Sequence, residues 1–177
     1  GVGIVGAKLY YPDDTIQHAG VIVGLGGYAG HSHKYAKRGG SGYMFRAATV
    51  QDLSAVTAAC LLVKAAVYDE AGGLDEGFAV AFNDVDFCLR VRALGYRVLF
   101  TPYAELYHYE SKSRGLDTKG PARERFEGER RRMKQRYGER LLRDPFYNPN
   151  LTLDREDFSE SDALPKDDPV PGVPARG

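Results

Sequence analysis

Phe82-Asn83-Asp84-Val85-Asp86-Phe87-Cys88-Leu89-Arg90 sets two carboxylates at the mouth of an apolar helix. Steps of about 100° per residue bring Phe87, Cys88, Val91 and Leu94 into one apolar sector for a helix that begins near Asp84, and Asp84 falls inside that sector. Asp86 points elsewhere. It stands four residues before Arg90, the spacing of an intrahelical ion pair worth about 0.2–0.5 kcal/mol, and three after Asn83, where it suits a capping arrangement. Asp86 therefore has a structural explanation beside a functional one. Asp84 is on the core-facing side, where a charge is costly unless a cleft, a metal or a proton-accepting task keeps it there.

Upstream of this helix, Leu74-Asp75-Glu76-Gly77-Phe78 reads as a turn, and Ala65 to Ala71 as a short helix stopped by Gly72-Gly73. Val50 to Val56 reads as a strand, followed by Thr57-Ala58-Ala59-Cys60-Leu61-Leu62-Val63, whose small residues mark a closely approached backbone or a tight junction. Val2 to Tyr11 is a short buried strand ended by Pro12-Asp13-Asp14. Ile16 to Leu25 is a second extended piece that completes a hairpin, with His18 as its anchor. Gly26 to Gly42 reads as a mobile polar loop, of a length that is usually functional or disordered. Its His31-Ser32-His33 is either a metal-binding pair or simply solvated.

Downstream, Tyr96 to Phe100 is a strand ended by Thr101-Pro102, and His108 follows on a tyrosine-rich stretch where a packed histidine is the default reading. Ala122 to Leu142 is a long basic helix with Phe126, Met133 and Tyr137 among its few apolar anchors. Much of its surface must be solvated or face a partner. From Pro121 to Arg143 nine basic residues face four acidic ones, and from Asp144 to Gly177 three face eight. Prolines punctuate that acidic tail, which reads as an extended arm or disordered terminus.

Across all 177 residues 24 basic side chains balance 24 acidic ones, which removes any global electrostatic case for nucleic acid or membrane as partner. The 43% hydrophobic content excludes disorder throughout. Cys60 and Cys88 sit in apolar settings without CxxC spacing, as buried free thiols in a reducing cytoplasm. The chain opens on Gly1 directly in strand-like sequence, as expected of a piece of something longer.

Six segments in order spell a resemblance: Gly6-Ala7-Lys8-Leu9 with Tyr11-Pro12-Asp13; Ile16-Gln17-His18-Ala19-Gly20; Thr57 to Val63; Ala71-Gly72-Gly73-Leu74-Asp75-Glu76-Gly77-Phe78; Asn83 to Arg90; and His108. Over roughly residues 3 to 110 the chain resembles the second, acceptor-side half of family 2 glycosyltransferases with the GT-A fold. The resemblance implies an α/β fold: a partial GT-A mixed sheet flanked by helices, with a C-terminal basic helix and an extended tail. Residues 1–120 would be the half-domain, 121–143 the basic helix on or beside it, and 144–177 the tail.

The resemblance further implies an inverting transfer from a nucleotide-sugar donor to a saccharide or lipid-linked acceptor, in cell-surface polysaccharide synthesis. Asp84 maps onto the catalytic base. Asn83 stands where the family usually has a glutamate, and Thr57, Ala58 and Ala59 occupy its small-residue loop beneath the substrates. Asp86 joins Asn83 on the substrate side, and His108 matches the late histidine that helps hold a divalent metal, Mg or Mn, or the donor diphosphate. The donor-binding half is not represented, so these residues alone are expected not to turn over a nucleotide sugar. The alternative is a noncatalytic module that binds saccharide or a protein partner. Expected settings are the cytoplasm or the inner face of a membrane met by the basic helix, with self-association through the seam of a half-domain.

Overall fold

The structure, a computed structural model, describes residues 1–109 and 120–162. β1 (Val2–Tyr10) is the spine, buried along most of its length. Pro12-Asp13-Asp14 turns it into β2 (Ile16–His18), which pairs antiparallel with its far end, and the expected hairpin forms. The chain then leaves that sheet. β3 (Val21–Val23) pairs with β4 (Ala29–His31) in a separate two-stranded ribbon, so part of the glycine-rich stretch is strand.

The expectation of a mobile polar loop fails at His33, which is buried. Its Nδ1 lies 2.5 Å from Ser32 Oγ, its Nε2 accepts from the Tyr43 amide at 3.0 Å, and its ring packs 4.5 Å from that of Phe158. Composition alone reads glycine and histidine as solvated; here the ring plugs a gap beneath Tyr43 and Phe158. Burial, with Arg46 and Lys8 nearby, pulls the His33 imidazole down to about 4. Burial also holds His18 well below its ordinary value. The unfolded chain takes up protons near pH 6.5 that the folded chain refuses, so stability is complete above that pH and falls as the pH drops toward 4. Thermal melts at pH 7 and pH 4.5 should therefore show a lower midpoint in acid, with His33→Gln flattening the dependence; an equal midpoint at both would refute this.

β5 (Gln51–Asp52) is shorter than expected and lies antiparallel to the later strand β7 (Arg97–Tyr107). After the small-residue turn, β6 (Leu61–Val63) runs antiparallel to the first half of β1. Gly6 makes room for the segment entering that turn, because a Cβ there would lie 2.5 Å from Val56 Cβ. α1 (Ala65–Glu70) and α2 (Asn83–Ala93) follow at the expected positions.

β7 (Arg97–Tyr107) runs parallel to β1 and does not stop at Pro102. The register jumps from Ala7↔Thr101 to Lys8↔Glu105, so Pro102, Tyr103 and Ala104 form a bulge where no ladder donor is required of the proline. The result is one mixed sheet in the order β2-β1-β7-β5, with β6 also on β1, flanked by helices, which is compatible with a partial GT-A-like fold.

α3 (Gly120–Tyr137), extended by a 3-10 turn over Gly138–Leu142, buries Glu129, Met133 and Tyr137 and turns Arg131, Lys134 and Gln135 to solvent. Met133 and Tyr137 join the main core, so the basic helix is anchored as its apolar residues suggest. Asp144 is buried beyond it, accepting from the Val23 amide at 2.8 Å and from Ser54 Oγ at 2.7 Å. Tyr147 and Leu151 form a second small cluster with Ile22 and Leu25. The first part of the acidic tail is thus an arm laid on the body; its remainder, 163–177, lies outside the described residues. Among the described residues no helix is long and apolar enough to cross a membrane, and both cysteines are free.

Candidate active site

α2 begins where Phe82 turns the chain through the left-handed region at φ 62°, an excursion that costs a bulky residue about 1–3 kcal/mol and persists only when its surroundings enforce it. The expected capping pair of Asn83 with Asp86 does not form. Instead Asn83 Oδ1 accepts from the Asp84 amide at 2.7 Å, and Asp84 Oδ1 accepts from the Val85 amide at 2.9 Å.

The other Asp84 oxygen reaches across to the small-residue turn and accepts from the Ala58 amide at 3.1 Å. That turn is itself secured from below. His18, fully buried and neutral, accepts from the Thr57 amide at 3.4 Å, and Thr57 Oγ1 accepts from the Ala59 amide at 3.3 Å.

Thr57, Ala58, Ala59, Asn83, Asp84 and His108 all line one cavity of about 460 Å³. That volume lies within the span of about 300–1,000 Å³ common for small-molecule sites. His108 is steered by Gln17 at both ends: its Nδ1 hydrogen-bonds Gln17 Oε1 at 2.8 Å, and Gln17 Nε2 donates to the His108 carbonyl at 3.3 Å. With Nδ1–H donating to the amide oxygen, Nε2 is left as an acceptor, the arrangement typical of an oriented ligand histidine.

His31 lines the same cavity and bonds the Gln17 backbone carbonyl through Nδ1 at 3.1 Å. The HxH pair is therefore split, His31 into the cavity and His33 into the core. Gln17 was legible in the sequence only as part of a motif; its role as the shared support of two imidazoles depends on the β1–β2 hairpin lying beside the end of β7. Among the described residues no three His, Cys, Asp or Glu side chains group to hold a metal ion.

Asp86 is not part of this cavity. Helical spacing points it away from the Asp84 sector, and its side chain is 0% exposed. Arg90 Nε donates to Oδ2 at 2.9 Å, completing the expected i, i+4 pair, while Arg136 Nη1 and Tyr137 Oη donate to Oδ1 at 2.6 and 2.7 Å. Arg136 also bridges to Asp75 at 2.7 Å, and Arg90 caps α1 through the carbonyls of Ala71 and Gly73. A one-sided helical wheel assumes one packing partner. α2 has two, the sheet on one side and α3 on the other, and Asp86 faces the second. Leu94, placed in the apolar sector, is 43% exposed at the helix end.

The chain is 54% identical over 159 residues to an uncharacterized protein, y4gI, of Sinorhizobium fredii, covering 89% of this chain and 18% of that protein. It is 38% identical over 159 residues to the O-antigen biosynthesis protein RfbC of Myxococcus xanthus, covering 88% and 12%. Over 62 residues it is 32% identical to an N-acetylglucosaminyl-diphospho-decaprenol L-rhamnosyltransferase of Mycobacterium tuberculosis, covering 35% and 20%. The similarity thus points to a glycosyltransferase-like family. The chain spans a fifth or less of the length of each of these relatives. No protein-family profile matches it, and no solved structure does.

Proposed function

We propose that the chain forms the acceptor side of a family 2, GT-A-type inverting glycosyltransferase that moves a sugar from a nucleotide-sugar donor to a saccharide or lipid-linked acceptor in surface-polysaccharide synthesis. The observation that carries this reading is the convergence of Thr57, Ala58, Ala59, Asn83, Asp84 and His108, spread over some fifty residues, on one cavity. The names of two relatives, an O-antigen biosynthesis protein and a rhamnosyltransferase, support the same class.

In this reading Asp84 takes the proton from the acceptor hydroxyl as its oxygen attacks the anomeric carbon. The bond to the donor diphosphate breaks on the opposite face, and the nucleoside diphosphate leaves. Each Asp84 oxygen receives one backbone N–H, from Val85 or Ala58, which fixes the carboxylate plane and leaves lone pairs for the incoming proton. Asn83 and the Thr57-Ala58-Ala59 turn shape the acceptor pocket.

His108 would supply one ligand to a divalent ion or one contact to the diphosphate, and such an ion would neutralise charge on the leaving group. The described residues do not complete a metal site by themselves, so no step is assigned to an ion here. The solvent face of α3 is the proposed side of any peripheral contact with an anionic membrane surface.

The test is a screen of nucleotide sugars against the intact native protein with labelled-product detection, paired with saccharide titration of the amide resonances of Thr57–Ala59 and Asn83. One donor giving product, with acceptor-dependent shifts at those amides, is the expected result. Shifts at those amides with no donor used would favour the noncatalytic module, and neither response would remove both readings.

A further inference from the structure

The helix that looks most like a solvated charged rod grips the catalytic segment at three successive points. Glu129 is 4% exposed, and its two oxygens accept from consecutive backbone amides, Val80 at 3.0 Å and Ala81 at 2.8 Å. One turn earlier on α3, the Phe126 ring stacks on Phe82 with centroids 5.8 Å apart and planes 24° apart. Farther on, Arg136 and Tyr137 hold Asp86. Residues 126, 129, 133 and 137 share one helix face, and that face meets residues 80–86. Val80, Ala81, Phe82 and Phe126 all line the candidate cavity.

Between the first and third grips stands Phe82 in its left-handed conformation, and its carbonyl accepts from the Asp86 amide at 2.8 Å to start α2. A bulky residue adopts that conformation only under constraint. A buried carboxylate taking two adjacent N–H groups is such a constraint, since charge-assisted bonds of this kind are short and strong.

We propose that Glu129 is a positioning residue for Asp84: it pins Val80 and Ala81, which forces Phe82 through the left-handed turn and thereby sets where Asn83 and Asp84 emerge into the cavity. The basic helix is then a wall of the site, and its charged outer face is incidental to that task. The placement of Asp84 relative to the cavity stands on geometry alone; only the kinetic arm below rests on the transferase reading.

Glu129→Gln is the decisive change, because an amide can accept from one of the two N–H groups but must turn its own donor toward the other. In the intact chain, hydrogen exchange at Val80 and Ala81 should rise at least ~10-fold with no comparable rise in β1 or β7, as the loss of a charged hydrogen bond would give. In the intact native protein kcat should fall about tenfold or more with the donor KM little changed, as expected for a misplaced base rather than a lost binding contact.

Phe82→Gly supplies the cross-check. Glycine enters the left-handed region freely, so Glu129→Gln should cost less in that background than in the wild-type one. Unchanged exchange at Val80 and Ala81, or an equal cost in both backgrounds, would overturn the proposal. If exchange responds and no donor is ever turned over by the wild-type protein, the transferase reading fails while the positioning role stands.

Discussion

Asp84→Asn is expected to lower sugar transfer by the intact native protein about 10²–10⁴-fold, the usual worth of a general base, while leaving the fold and saccharide binding in place. The argument is local. Asparagine is isosteric, and its one carbonyl oxygen can keep either the Ala58 or the Val85 amide bond, so α2 still begins at the same residue. What disappears is the capacity to accept a proton. The expected signature is therefore a fall in kcat with a circular dichroism spectrum and melting profile close to wild type, and with acceptor-induced shifts at Thr57–Ala59 still present. Transfer at near wild-type rate would remove Asp84 as the base. Loss of acceptor binding together with rate would make Asp84 a binding residue instead.

Asp86→Ala is expected to act in the opposite way, on stability before chemistry. Removing a buried carboxylate leaves Arg90, Arg136 and the Tyr137 hydroxyl without their shared acceptor, and breaking buried pairs in this one-sided manner costs about 3–5 kcal/mol. For a chain of this size that corresponds to a drop in melting temperature on the order of 10 °C. Arg136 retains Asp75 and is partly solvated, which favours the lower end of that range. Chemical denaturation with and without Arg136→Ala would isolate the coupling. A loss below about 1 kcal/mol would mean the pair is worth no more than an exposed one. Asp84 and Asp86, two residues apart, are separated by geometry, and these measurements should separate them again: the Asp84 change is expected to alter rate, the Asp86 change folding.

The contrast between these carboxylates shows where sequence reading succeeded and where it stopped. Asp84 lines a cleft, as a charge in an apolar helical sector demands, and its role as base is the proposal that the first variant tests. Asp86 keeps the pair with Arg90 that its spacing suggests, while its burial against α3 is invisible to a wheel with a single buried face. Pro102 was taken as a strand end because proline donates nothing to a ladder, yet a bulge removes that demand and β7 continues. Glycine and lysine around His33 leave it readable as metal-binding or solvated, and it is Tyr43, ten residues on, and Phe158, far along the chain, that give it a buried place.

By itself the sequence determined the local elements: the hairpin, the two central helices with their glycine stops, the left-to-right order of the small-residue turn, the carboxylate helix and His108, and the apolar anchors Met133 and Tyr137. These follow from short-range period and turn chemistry, which a single chain segment carries within itself. Tertiary structure alone decided that α2 is covered on two sides, that Gln17 supports two imidazoles, and that Glu129 reaches back nearly fifty residues to the turn before Asp84. Such contacts join segments distant in sequence, and their energy comes from burial and hydrogen-bond completion that exist only after the layers have packed.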